Sequence, residues 1–264
     1  MDVVQVEGRA VAYRRAGAGP PLVLLHGGWS DGRAWAPQLH DLTDEFDVIA
    51  WDAPGCGRSD DPPDGVHLSW YADAVAGLLD GLGLASVHLC GLSFGGGLAL
   101  AVYERHPQRV RSLLLAGAYA GWKGSLAPEE VRARITKVRA ELDRPPDEWI
   151  DDYLPGFFAG RVPDATLDLV RAMMRDVRPT GTRRMLEAFA DADLRNVLPS
   201  VAVPTLLLNG AEDVRAPRPV AGALHAAIPG SRLVLLPGVG HDVALEAPDA
   251  FDDEVRRFVR SVPT

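Results

Sequence analysis

The sequence predicts an α/β fold in which helices flank both faces of a mostly parallel central sheet. Short apolar runs that end in glycine alternate with longer amphipathic segments along most of the chain. The runs are continuously apolar, as expected of parallel strands that are covered on both faces. With 264 residues, of which 47% are hydrophobic, the chain is long enough to form one large domain with a full core.

The strands can be assigned in chain order. The opening segments VVQVEG and AVAYRRAG predict a hairpin. Further buried strands are predicted at PLVLLHG from Pro21, DVIAWDAPG from Asp47, VHLCG from Val87, VRSLLLAG from Val110, PTLLLNG from Pro204 and RLVLLPG from Arg232.

Helical patterns lie between these strands. The segment SWYADAVAGLLDGLG predicts a helix that begins at Ser69 as its cap and stops at glycine. A second helix should follow Ser93 and run to about His106, because Pro107 ends it. The last helix is predicted from about Pro248 to Val259.

The alternation of strands and helices stops in the middle of the chain. Between Gly121 and Pro199 only helical patterns occur, divided by RPP, VPD and RPTG. We therefore expect a core formed by residues 1–120 and 200–264, with residues 121–199 as a helical insertion. Its large apolar side chains either attach it to the sheet or form a pliable roof over a site; they are Trp122, Trp149, Phe157, Phe158, Met173, Met174, Met185 and Phe189.

Composition restricts the partners and the location of the protein. The formal net charge of -9 disfavours a nucleic-acid partner. Two cysteines, no recognisable secretory leader and no apolar run of membrane-spanning length predict a cytoplasmic protein that does not insert into membranes. No cysteine–histidine cluster has metal-ligand spacing, and the glycine-rich stretch GLSFGGG lacks the lysine of a phosphate loop, so neither a metal nor a cofactor is expected.

The segment HLCGLSFGGGLAL carries the most specific chemical signal. It places Ser93 in a G-x-S-x-G pattern between an apolar strand and a glycine-rich helix start. Gly91 and Gly95 leave room for the sharp turn that such a nucleophile elbow needs. A serine hydroxyl is a weak nucleophile, so a base must take its proton.

The base and its partner are expected late in the chain. His241 follows the last strand in a loop flanked by glycine, and we predict that it is the base. Asp213, after the preceding strand, is the predicted acid that orients the imidazole, with Glu212 as the alternative. A turn or capping role for either carboxylate is the structural alternative.

Two backbone amides should bind the oxyanion. Phe94, directly after the serine, supplies one, and Gly28 in LLHGGWSDG supplies the other, with Trp29 as the alternative. His26 is expected to brace this loop by hydrogen bonding without taking part in the chemistry.

These segments together resemble the α/β-hydrolase fold superfamily, in its single-domain branch of serine hydrolases with a helical cap. The resemblance rests on HGGW from His26, DAPGCGRSD from Asp52, GLSFG, NGAEDVRAP and GVGHDVALEAPDAF, and it covers nearly the whole chain outside residues 121–199. It implies a catalytic triad in the order Ser93, Asp213, His241. Serine at position 93 argues against the members that use an aspartate nucleophile.

The leading hypothesis is a serine esterase or lactonase that forms an acyl-enzyme with a small apolar acyl or ring substrate. A hydrolase that cleaves a carbon–carbon bond in a vinylogous diketone would use the same residues and would need an arginine that binds a carboxylate. A non-hydrolytic ligand-binding protein on the same fold is the third reading.

Overall fold

The computed structural model describes residues 1–263 and contains one eight-stranded sheet within them. The strands are β1 (Asp2–Val6), β2 (Arg9–Ala16), β3 (Pro21–Leu25), β4 (Asp47–Trp51), β5 (Val87–Leu92), β6 (Val110–Ala116), β7 (Thr205–Gly210) and β8 (Arg232–Leu236). Their order across the sheet is β1-β2-β4-β3-β5-β6-β7-β8. β1 and β2 form the expected antiparallel hairpin, β2 pairs antiparallel with β4, and the other neighbours are parallel. The predicted α/β-hydrolase fold class is thus confirmed.

Helices cover both faces of this sheet. They are α1 (Gln38–Asp41), α2 (Leu68–Gly81), α3 (Phe94–Arg105), α4 (Trp122–Ser125), α5 (Pro128–Leu142), α6 (Ile150–Tyr153), α7 (Asp164–Arg175), α8 (Pro179–Asp191), α9 (Arg218–Ala227), α10 (Val243–Glu246) and α11 (Pro248–Ser261). Short 3₁₀ turns occur at Gly32–Trp35, Pro107–Arg109, Pro146–Glu148, Leu154–Gly156 and Leu198–Ser200. No helix within residues 1–263 is both long enough and apolar enough to cross a membrane.

The predicted cap of α2 at Ser69 is wrong. The helix begins at Leu68, its N-cap is His67 in an extended conformation, and no side chain caps it. Ser69 therefore lies inside the first turn, where its hydroxyl cannot act as the cap residue does.

Strand residues alternate between two apolar clusters, one on each face of the sheet. Val23 and Leu25 of β3 belong to the larger cluster, which also holds α2, α3 and most buried side chains of residues 121–199. Leu22 and Leu24 belong to the smaller cluster, which α11 closes with buried apolar residues. This alternation follows from the two-residue period of a strand and explains why the runs are continuously apolar.

All elements between β6 and β7 are helical, and they pack over one end of the sheet. Trp29, after β3, packs against Trp149 with ring centroids 4.8 Å apart, and Cys56, after β4, has its Sγ 3.6 Å from Sδ of Met185. Gly55 and Gly181 approach so closely that a Cβ on either would lie within 2.8 Å of the other's backbone. The loops at the carboxyl ends of the parallel strands are thus covered by the inserted helices.

Candidate active site

Ser93 occupies the sharp turn between β5 and α3. Its φ of 54° and ψ of -110° fall in a region that residues other than glycine rarely adopt. The Ser93 N–H donates to the carbonyl of Ala116 at 2.8 Å, and the Ser93 carbonyl accepts the N–H of Gly96 at 3.0 Å. The turn is therefore held by β6 on one side and by the first turn of α3 on the other.

The two glycines of the G-x-S-x-G pattern are required by close packing of backbone. A Cβ at Gly91 would lie 2.1 Å from the carbonyl oxygen of Gly95, and one at Gly95 would lie 2.1 Å from that of Leu25. Neither carbonyl can move without disturbing β3 or α3. The serine can project from a strained turn because the backbone around it is packed this tightly.

His241 and Asp213 form a buried hydrogen-bonded pair. Nδ1 of His241 lies 2.8 Å from Oδ2 of Asp213, and both residues are about 4% exposed. The other carboxylate oxygen accepts the N–H groups of Arg215 at 2.8 Å and Ala216 at 2.9 Å. Glu212, the alternative acid, is exposed. Asp213 thus orients the imidazole and also organises its own turn.

The charge state of Asp213 fixes the tautomer of its partner. Burial alone would raise the pKa of Asp213, but hydrogen bonds from His241, Ala216 and Arg215 outweigh burial and lower it. An ionised carboxylate only accepts hydrogen bonds, so Nδ1 of His241 donates to it, and in the neutral tautomer with this bond Nε2 is the acceptor. The imidazole packs closely against Gly117, the residue after β6, since a Cβ there would lie 3.1 Å from its Cε1 and Nδ1.

Ser93 and His241 line one cavity, which we call the Ser93 cavity. Among residues 1–263, no hydrogen bond joins the Ser93 hydroxyl to the His241 ring. Catalytic hydrogen bonds in unliganded enzymes are often long and tighten only when substrate binds. The structure therefore brings the three predicted triad residues to one site but joins only two of them directly.

Three residues that line the Ser93 cavity, two in the loop after β3 and one at the start of α3, have free backbone N–H groups. The N–H groups of Gly28, Trp29 and Phe94 have no hydrogen-bond acceptor within the described part of the chain. Phe94 is the first residue of α3, where the positive end of the helix dipole favours negative charge. Gly28, the predicted oxyanion donor, and Trp29, the alternative donor, both line the cavity with free N–H groups. Their hydrogen bonding therefore does not decide between them.

His26 holds this loop in place. Its Nδ1 lies 2.7 Å from the Gly27 carbonyl, and the N–H of Ala53 donates to its Nε2 at 3.0 Å. Complete burial lowers the pKa of His26, so the ring is neutral. Asp52 adds a second tie, since its carboxylate accepts the N–H of Gly32 at 2.9 Å. These bonds connect the loops after β3 and β4.

The Ser93 cavity has a volume of about 50 Å³ and a mostly apolar lining. Of the eight large apolar side chains named from the sequence in residues 121–199, five line it, together with Tyr153, Val170 and Leu186 of the same segment: Trp122, Phe157, Met173, Met174 and Phe189. Trp149 and Met185 are buried outside it, and Phe158 lies against a separate groove. Some of these side chains therefore line the cavity, as expected of a roof over a site, while others pack away from it, as expected of side chains that attach the insertion to the sheet.

Six further polar residues at the cavity were not singled out from the sequence: Ser30, Tyr119, Arg134, Tyr153, Arg215 and Asp242. Arg215 and Asp242 stand within two residues of Asp213 and His241, and this proximity in sequence was the available signal. Asp242 is buried, its Oδ1 has no hydrogen-bond partner within residues 1–263, and burial raises its pKa to about 7. Nothing in the local sequence of Arg134 distinguishes it from other arginines in the insertion.

A family model and a curated relative both match nearly the whole chain. Residues 22–254 match the model of a family described as the alpha/beta hydrolase family. The chain is 30% identical over 258 residues to a protein of Azorhizobium caulinodans named "Putative carbamate hydrolase RutD", with 93% of each chain covered.

Solved structures resemble the chain over nearly its whole length. The enol-lactonase from Burkholderia xenovorans LB400 superposes with a TM-score of 0.88 at 30% identity, covering 98% of this chain and 100% of that one. The esterase EaEST from Exiguobacterium antarcticum superposes with a TM-score of 0.89 at 30% identity, covering 98% and 99%.

Proposed function

The chain belongs to the α/β-hydrolase family and is a hydrolase, and on this premise we propose that it cleaves carboxylic esters or lactones through an acyl-enzyme on Ser93. The buried His241–Asp213 pair, which shares one cavity with the strained Ser93, is the observation that carries this proposal. The similar solved structures named as an enol-lactonase and an esterase support the substrate class.

The first half of the proposed reaction acylates the serine. Ser93 Oγ attacks the substrate carbonyl carbon while Nε2 of His241 takes its proton. Asp213 stabilises the imidazolium that results. The carbonyl oxygen becomes an oxyanion held by the N–H groups of Phe94 and Gly28, each worth roughly 3–4 kcal/mol of the barrier.

Collapse of this intermediate breaks the bond to the leaving oxygen, which receives the proton from His241. The leaving alcohol departs from an ester and stays attached to the acyl group of a lactone. A water molecule then attacks the acyl-enzyme with His241 again as base, releases the acid and regenerates the serine. The narrow apolar cavity favours a short acyl chain or a small ring.

Ser93→Ala tests the covalent step. We expect turnover of p-nitrophenyl acetate to fall to the level of His241→Ala, and we expect a fluorophosphonate to add one phosphonyl group to the wild-type protein and none to Ser93→Ala. Intact-protein mass spectrometry measures the adduct. Undiminished ester hydrolysis by Ser93→Ala would refute the acyl-enzyme. Labelling of Ser93 without hydrolysis of any ester or lactone would instead favour carbon–carbon bond cleavage by the same residues.

A further inference from the structure

Arg215 brings an unneutralised positive charge to the Ser93 cavity. Its guanidinium is stacked on two aromatic rings, with Cζ 4.3 Å from the ring centre of Tyr153 and 4.2 Å from that of Phe157. Nε donates to the carbonyl of Gly156 at 2.9 Å, and Nη2 donates to that of Tyr153 at 3.1 Å. These contacts fix the position of the guanidinium but supply no negative charge.

No carboxylate within residues 1–263 lies close enough to form an ion pair with Arg215. The other arginine at the cavity differs in this respect, since Arg134 Nη2 lies 2.7 Å from Oε1 of Glu130. Nη1 of Arg215 also has no acceptor in the described part of the chain. A partly buried guanidinium with unused donors is stabilised by a ligand that brings an anionic oxygen.

The nearby acids do not replace such a ligand. Asp213 is occupied by His241 and by backbone N–H groups. Glu141 does not line the cavity, and burial raises its pKa to about 7 although the positive charges of Lys137, at 3.7 Å, and Arg215 act to lower it. Burial likewise raises the pKa of Asp242 to about 7. An anion that enters the cavity therefore meets a fixed guanidinium and one buried carboxyl group that protonates readily, that of Asp242.

Hydrogen bonds in the loop after β7 fix the position of Arg215 relative to the proposed catalytic residues. The N–H of Arg215 donates to the same Asp213 carboxylate that binds His241, so the guanidinium stands at a fixed place relative to the imidazole. Tyr119 donates its hydroxyl to the Arg215 carbonyl, and Nη2 of Arg134 donates to that carbonyl at 2.9 Å. The backbone at position 215 is thus held from both the sheet and the insertion.

We infer that Arg215 forms a carboxylate-binding subsite of the Ser93 cavity, and that the preferred substrate is an ester or lactone with a free carboxylate on its acyl part. This inference rests on the proposed function for the reaction, but binding of the carboxylate itself does not depend on turnover. The planar guanidinium suits a carboxylate, because its N–H groups match the two oxygens.

Matched pairs of methyl esters test the subsite. Monomethyl succinate and monomethyl glutarate carry a terminal carboxylate, and methyl butyrate and methyl pentanoate are their neutral counterparts of equal chain length. We expect the wild-type enzyme to have at least a tenfold higher kcat/KM for one of the charged esters, measured by pH-stat titration. In Arg215→Gln this preference should fall at least tenfold, mainly through KM, while hydrolysis of the neutral esters changes less than threefold.

Two further variants separate recognition from support of the fold. Arg215→Lys keeps the charge and should retain part of the preference. Arg139→Gln removes a guanidinium that is paired with Glu187 and does not line the Ser93 cavity, so it should change both members of a pair by the same factor. A wild-type preference for the neutral esters, or equal losses on both members of a pair in Arg215→Gln, would overturn the inference while leaving the proposed function intact.

Binding of glutarate distinguishes failure of the subsite from failure of the reaction. If neither an ester nor a lactone is hydrolysed, the proposed function fails, and isothermal titration calorimetry then decides the subsite. Glutarate should bind wild-type protein at least tenfold more tightly than it binds Arg215→Gln. Equal binding to the two proteins, or none to either, would refute the subsite as well.

Discussion

The carboxylate of Asp213 binds both the imidazole and the turn that follows it, since Oδ2 lies 2.8 Å from Nδ1 of His241 and Oδ1 accepts the backbone N–H of Arg215 at 2.8 Å. The imidazole is therefore tied to the same turn that carries the proposed carboxylate subsite. Any change at Asp213 acts on the tautomer of His241 and on the position of Arg215 together.

Asp213→Asn should lower kcat on an activated ester by about a thousand- to ten-thousandfold. The amide group of asparagine can donate to Nδ1 of His241, which would move the ring hydrogen to Nε2 and leave no acceptor for the Ser93 proton. Initial rates with p-nitrophenyl acetate between pH 7 and 9 measure the loss. Glu212→Gln, at the exposed neighbour, is the control and should stay within about twofold of wild type. Equal activity of Asp213→Asn and wild type would exclude Asp213 as the orienting acid.

Two glycine substitutions should have opposite effects on stability. Gly95→Ala places a Cβ 2.1 Å from the Leu25 carbonyl, so the nucleophile turn or β3 must shift, and we expect a loss of at least about 3 kcal/mol of unfolding free energy. Gly222 lies in α9 with no atom within 4 Å of the added Cβ, so Gly222→Ala should gain about 0.4–1 kcal/mol. Urea denaturation measures both, and a stable Gly95→Ala protein would contradict the packing at the elbow.

The sequence was sufficient to predict the positions of candidate site residues that stand in a recognisable local pattern. Ser93 and His241 each follow an apolar run and are flanked by glycine, and the structure places them after the carboxyl ends of β5 and β8. The carboxyl ends of parallel strands meet at one edge, so such residues come together without any knowledge of side-chain packing. Their catalytic roles remain predictions.

The lining of the cavity could not be predicted in the same way. Met174 and Met185 both belong to amphipathic helices, yet only Met174 reaches the Ser93 cavity. Helical periodicity shows which face is apolar but not which neighbour that face contacts. The guanidinium of Arg215 was unpredictable for a related reason, because its orientation depends on Tyr153 and Phe157, which are distant in sequence.

Asp52 should be a large contributor to stability away from the proposed triad. It is fully buried and accepts the N–H groups of Gly32 and Arg58, each at 2.9 Å, and Nη1 of Arg14 at 2.7 Å. Asp52→Asn turns one acceptor into a donor and leaves Arg14 unpaired, so we expect a loss of about 2–4 kcal/mol of unfolding free energy. Denaturant titration measures this loss.

The control for Asp52 is Asp64→Asn, since Asp64 pairs with Arg184 but is 89% exposed in its side chain. This substitution should change the unfolding free energy by less than about 1 kcal/mol. Similar losses in the two variants would show that Asp52 does not connect the loops after β3 and β4 as described. Asp52→Asn should also lower ester hydrolysis, because the loop with Gly28 would lose one of its ties.

Because the pKa of Asp242 is raised in the folded protein, we expect this residue to make the free energy of unfolding fall as the pH rises. Its pKa rises from 3.8 to about 7 because the carboxyl is buried without a cation beside it. Between about pH 4 and 7 the unfolded chain has released this proton while the folded protein still holds it, so this carboxyl lowers stability as pH rises through that window, with no further loss above it. At about 1.4 kcal/mol per pKa unit, the effect reaches at most about 4 kcal/mol.

Asp242→Asn isolates this contribution, because asparagine cannot ionise. The variant should match wild type near pH 4 and become progressively more stable than wild type up to pH 7, with a constant difference above that. Glu141, whose pKa burial also raises to about 7, is present in both proteins and cancels in the comparison. Denaturant titrations of wild type, Asp242→Asn and the exposed control Asp249→Asn at several pH values measure the curves. A pH-independent difference between wild type and Asp242→Asn would show that the carboxyl is ionised in the folded protein throughout this range.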